Sequence, residues 1–135
     1  MRLNSRVKII PCSGIGKVLG LIAREAALEV TGELLPEETE SLCLAHIVTG
    51  DDEVIAKIEG QSCITLDGCA KCCAQKSVEA AGGNICHQHR VIDFIKPHRG
   101  EEHGSGTRLT EDGWRFADEL ARIMAEEVKA VMKGE

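Results

Sequence analysis

The sequence predicts a small three-layer α/β domain with a mostly parallel sheet and a long C-terminal helix. Short apolar runs bounded by turn residues alternate with segments of helical periodicity, the pattern of parallel strands covered by helices on both faces. The first two such runs, VKIIP and QSCITLD, each end in a Gly-containing turn that leads into a helical segment. From Thr110 to Lys133, Trp114, Ala117, Ala121, Met124, Val128 and Val131 recur at three- and four-residue steps, one stripe of an amphipathic helix. With 135 residues, 43% of them hydrophobic, the chain has the size and apolar content of one ordinary domain, 1–135, and it shows no internal repeat. One Trp, two Phe and no Tyr leave the core to Ile, Leu, Val, Ala and Met.

Val7–Pro11 is the first predicted strand. GKVLGLIAREAALEVTG follows, with Val18, Leu19, Ile22, Ala26 and Val30 on one helical face, Gly32 as C-cap and Pro36 beyond it. The acidic run EETE reads as a solvated turn or a helix start. SLCLAHIVTG reads as a short helix capped by Ser41 and ended by Gly50. DDEVIAKIEG is a second, with Asp51 as N-cap and acid at its positive end. QSCITLDG is the next strand, turning at Asp67-Gly68. CAKCCAQKSVEAA, from Cys69 to Ala81, reads as a helix stopped by Gly82-Gly83, HRVIDFI as a third strand, and KPHRGEEHGSG as a polar, mobile loop. The C-terminal helix, about 110–133, is expected to cover one sheet face, and the same stripe suits a homodimer contact.

A formal charge of −6, with no basic patch interleaved with aromatics, argues against nucleic-acid binding, which rests on neutralising phosphates with Lys and Arg. The N-terminal apolar run, Val7 to Ile10 broken by Lys8, is far shorter than a secretory h-region of about 7–15 residues or a membrane span of roughly 20. These features predict a cytoplasmic protein with no membrane partner. Seven cysteines in that setting point to metal binding or redox chemistry rather than to structural disulfides, and an odd number cannot all pair.

The cysteines concentrate where strands end. Cys12 lies in PCSG after the first strand and Cys69 in DGCA after the second. In open parallel sheets ligands sit outside the carboxyl ends of the strands, so both residues are expected at one edge. On a helix Cys69 and Cys73 share a face about 5–6 Å apart, a spacing that suits two thiolates on one ion at about 2.3 Å each. A helix start also favours the thiolate. Cys12 is the natural third ligand. The fourth falls to Cys43 or to a histidine, and spacing does not choose between them.

PCSGIG, SLCLA, ITLDGCAKCCAQK and AAGG together resemble the DGC-domain family, small proteins named for Asp-Gly-Cys to which zinc binding is ascribed. The resemblance runs from about Val7 to Asp93. It implies that the metal ligands are Cys12, Cys43, Cys69 and Cys73, with Asp67 and Gly68 making the turn, and it implies no particular reaction. Two departures stand out: Ala70 occupies a place where the family often has Pro, and Cys72 is an added thiol.

Zinc is therefore the expected cofactor, with an iron–sulfur cluster as the alternative for soft thiolate donors. A closed site of four cysteines is structural, whereas an open coordination position permits catalysis. Two competing functions remain: a thiol–disulfide enzyme using the Cys69/Cys72 C-x-x-C pair with Lys71 beside it, and a carrier of clusters or of persulfide sulfur. A phosphatase loop would need Arg where Val18 stands, and a P-loop would need a hydroxyl at that same position. The Gly14–Gly16 turn could still hold a small anion in a backbone nest. Cys63 reads as core, and Cys86, His87 and His89 as residues on or beside a strand rather than a second metal site. His46, three residues after Cys43, could ligate or orient a thiolate, while His98 and His103 fall in the polar loop with no assigned role.

Overall fold

The computed structural model describes residues 6–12, 17–68, 71–95, 98 and 100–134. Four parallel strands, β1 (Val7–Pro11), β2 (Thr39–Ser41), β3 (Ser62–Asp67) and β4 (Asn84–Arg90), form one sheet in the order β2-β1-β3-β4. Helix α1 (Val18–Glu29) carries the chain from β1 to β2. Helices α2 (Leu44–Val48) and α3 (Asp52–Ile58) lead to β3, α4 (Cys73–Ala80) joins β3 to β4, and α5 (Glu111–Met132) ends the fold.

Strands buried on both faces need helices on both faces, and alternation of side chains along β1 and β3 divides the core accordingly. Val7, Ile9, Ile64 and Leu66 meet Ile22, Ala26 and Val30 of α1's side and Phe116, Leu120 and Met124 of α5. Ile10 and Cys63 meet Leu44, Ile47, Ile58, Ala74 and Val78 from α2, α3 and α4. Lys8 interrupts the apolar run of β1 yet is only 2% exposed, because its Nζ lies 3.0 Å from Glu40 Oε1 on β2. Burial pushes the Glu40 carboxyl up, but Lys8 and Lys57 outweigh it and hold the group below its ordinary value.

Several elements differ from the sequence expectation. Ser41 does not cap a helix: Thr39–Ser41 pairs with β1, whose open edge needs partners for its backbone N–H and C=O groups, and α2 starts only after Cys43. The first helix does not stop at Gly32. It continues as a π-helical turn, Val30–Leu34, closed by Leu35 N–H donating to Val30 O at 2.8 Å, and the extra residue delivers Leu35 to the core.

The fourth helix begins at Cys73 rather than Cys69. Cys72 is left-handed, at φ 54, which no continuous helix can cross, and the Asp67 carboxylate accepts from the N–H groups of Ala74 and Gln75 at 2.8 and 3.2 Å. β4 starts earlier than HRVIDFI and shares only His89 and Arg90 with it, Val91–Phe94 being a 3-10 turn; the strand is an edge strand with one neighbour, so its polar residues lose little by pairing there. α5 matches its expected span, but Trp114 is 51% exposed and Phe116 and Leu120 take the buried positions. His98 and His103, expected in a mobile loop, are buried.

Candidate functional site

The crossover through α1 leads from β1 to β2, while the later crossovers lead from β2 over to β3 and β4. The strand order therefore reverses between β1 and β3, and a crevice opens outside their carboxyl ends. Cys12 sits at that point. Its N–H donates to Leu66 O at 2.9 Å, extending the ladder, and its Sγ accepts from Gly68 N–H at 3.2 Å. This bond fastens the first turn to the Asp-Gly-Cys turn.

The first two residues of that turn have separate structural duties. Asp67, 1% exposed, caps α4 as described, and burial raises its carboxyl pKa despite the two backbone donors. Gly68 packs on the start of α1: a Cβ there would lie 2.8 Å from Gly20 N and 3.0 Å from Gly20 Cα, both backbone atoms that cannot step aside. The turn is thus held from two sides.

Cys43, exposed before α2, lines with Cys12 an open groove of about 530 Å³ that also includes Arg24 and Leu28. Cys73 is exposed as the first residue of α4. Cys69 lies outside the described residues, as does the Gly14–Gly16 turn. The structure thus joins Cys12 to Gly68 and sets Cys43 along the same groove. Among the described residues no three thiols come within 4.8 Å of one another. The i, i+4 relation expected of Cys69 and Cys73 lies outside the described residues at Cys69; among those described, α4 begins at Cys73.

The remaining cysteines and histidines separate cleanly. Burial pushes the Cys63 thiol up to about 11, consistent with a core residue. Cys72 is buried, its Sγ 3.8 Å from Gln88 Nε2, and Cys86 is half-buried on β4. His46 is exposed on α2. His87 and His89 share one face of β4, where both reach Glu127 of α5, at 3.4 and 2.7 Å.

Sequence reasoning missed one cluster. His98, Glu101 and His103 each place a ligand atom within 4.8 Å of the others, the one such group of three among the described residues. The H-x-x-E-x-H spacing was its only sequence signal.

The fold and its edge define a doubly wound α/β protein with cysteine-bearing turns at the topological switch point. The family model for the DGC domain matches residues 8–113, so the chain belongs to the DGC-domain family, and the match reaches beyond Asp93 through the histidine cluster to the start of α5. No curated protein and no solved structure matches the chain. No helix among the described residues is long and apolar enough to cross a membrane.

Proposed function

We propose that the protein binds a zinc ion at the carboxyl edge of the sheet through the thiolates of Cys12, Cys43, Cys69 and Cys73. The observation that carries this reading is the Gly68 N–H to Cys12 Sγ bond of 3.2 Å. A backbone N–H aimed at sulfur stabilises a thiolate, as hydrogen bonds around metal-bound ligands do. It also brings the residue before Cys69 against Cys12. The donor set fits a thiophilic ion: Cys12 and Cys43 share a groove, Cys43 and Cys73 are exposed to solvent, and Asp67 and Gly68 fix the turn without offering a ligand atom to it. Zinc bound there would tie together the starts of α2 and α4 and the end of β1, and any open coordination position would act as a Lewis acid. A reducing compartment such as the cytoplasm suits this thiol-rich edge.

The test is elemental analysis and an absorption spectrum of tag-free protein purified anaerobically, with Cys12→Ser, Cys69→Ser and Cys63→Ser alongside. The expected result is a colourless protein with bound zinc that Cys12→Ser and Cys69→Ser release and Cys63→Ser keeps. Equal retention in all three variants defeats the ligand assignment. Iron with sulfide would identify a cluster protein, and a metal-free protein with a reducible Cys69–Cys72 bridge would identify a dithiol enzyme.

A further inference from the structure

We propose that His98, Glu101 and His103 form a second metal site, separate from the cysteine edge, for a divalent transition-metal ion of zinc's class, with Glu119 positioning His98. The site does not rest on the thiolate reading.

His98 and His103 are 7% and 8% exposed, and both lie against Phe116, with His98 stacked on its ring at 4.2 Å between centroids and 9° between planes. His98 presents each ring nitrogen to a carboxylate: Nδ1 to Glu101 Oε1 at 2.8 Å and Nε2 to Glu119 Oε2 at 3.0 Å. A neutral imidazole carries one N–H and one lone pair. One of these two contacts therefore sets a lone pair against a carboxylate oxygen, unless a cation stands between them. That cation is a second proton or a metal ion. His103 Nε2 converges on the same Glu101 oxygen at 3.2 Å.

These separations suit ligation. Around a tetrahedral ion with bonds of about 2.0–2.2 Å, neighbouring ligand atoms stand about 3.3 Å apart, close to the 2.8 and 3.2 Å that Glu101 Oε1 already keeps from the two rings. Glu119 has the complementary duty. By accepting from Nε2–H it leaves the lone pair on Nδ1, the carboxylate–histidine arrangement that orients metal-binding imidazoles. Two imidazoles and a carboxylate select zinc, cobalt or ferrous iron over magnesium or calcium, and without sulfur they differ in kind from the cysteine edge.

The loop that carries these ligands is fastened to the start of α5. His103 O accepts from Thr110 N–H at 3.0 Å, and Gly104, at φ +120, bridges to Leu109. At Gly113 a Cβ would fall 2.2 Å from His103 O, so glycine is what lets the loop sit on the first turn of α5. The two histidines, with Glu101, are thereby clamped over Phe116. Glu101 is 31% exposed at its side chain, which leaves the site an entrance from solvent.

Cobalt titration of the tag-free protein, followed by absorption and calorimetry, distinguishes the two sites, because only thiolate ligation gives intense sulfur-to-cobalt charge transfer. The expected result is one equivalent of cobalt bound without that band. Glu101→Gln should weaken its uptake by about 100-fold or more, and Glu119→Gln by about 10-fold to 100-fold, each leaving any sulfur-type band intact. Both glutamates are partly exposed, so these variants spare the histidine packing, and unchanged apo melting curves confirm that Glu119 acts on the ion rather than on the fold. Absence of a sulfur-free equivalent, or uptake unaltered by Glu101→Gln, overturns the proposal. Loss of the sulfur band alone would count against the cysteine site and leave this one standing.

Discussion

The cysteine edge and the histidine loop place chemistry on the same fold in opposite ways. At the edge, Cys12 and the Asp-Gly-Cys turn come directly off β1 and β3, so the parallel register of those strands brings them together. In the loop, His98, Glu101 and His103 come off no strand and no α-helix; Phe116, Gly113 and Glu119 of α5 assemble them. Cys43 and Cys73 are exposed, whereas both histidines are buried. A site built by strand ends keeps its geometry as long as the sheet stands. A site built against one helix depends on that helix's packing. Variants that loosen one support and spare the other can break this contrast.

The largest effect is expected from Phe116→Ala. Phe116 is 1% exposed and supports both histidine rings, and removing a buried phenyl ring typically costs about 3–5 kcal/mol. Urea unfolding should show that loss. In the fraction still folded, the sulfur-free cobalt equivalent should disappear while metal at the cysteine edge persists. Parallel loss at both places would mean that the edge also leans on α5, and the contrast would fail.

Gly68→Ala probes the reverse case at lower cost. The new methyl group meets backbone at 2.8 Å, and overpacking of this kind costs about 1–3 kcal/mol. The turn must move away from α1, taking with it the N–H that Cys12 Sγ accepts. Zinc affinity at the edge should fall, and cobalt uptake by the histidine loop should stay. An unchanged edge affinity would show that this hydrogen bond does not support the thiolate.

Much of this contrast could be read from the sequence, and the reasons are physical. β1, β3 and α5 are long or apolar enough for period to reveal them. The meeting of the PCSG and DGC turns follows from parallel order alone. β2 was hidden because three residues, Thr39–Ser41, carry no period, and β4 because NICHQHR is polar while the apolar VIDF beside it curls into a 3-10 turn. The left-handed Cys72 escaped notice because helix propensity in CAKCCAQK says nothing of the Asp67 cap that fixes the helix start. Gly and charge dominate the composition of the histidine loop, which predicts mobility. Its order comes from Phe116 and Glu119, which are distant in sequence, and only tertiary packing reveals that.

The smallest effect sharpens how pH dependence is assigned between regions. A histidine-lined loop on α5 invites attribution of any stability change near neutrality to imidazole. A carboxyl pair between the end of α1 and the same helix works in that window. Burial, then a hydrogen bond and repulsion from Asp118, push Glu29 from 4.5 to about 7, while the same hydrogen bond, then Arg122, holds Asp118 below its ordinary value. Protonated Glu29 thus donates to ionised Asp118. Because the folded value exceeds the unfolded one, this contribution is complete below about pH 4.5 and is lost as pH rises through about 7. Solvent screening keeps it to about 1 kcal/mol or less. Glu29→Gln offers Asp118 an amide donor at every pH. Its stability in urea should match the wild type at pH near 5, exceed it near 8, and change less between the two. An identical pH slope in both proteins would show that Glu29 does not contribute to the dependence.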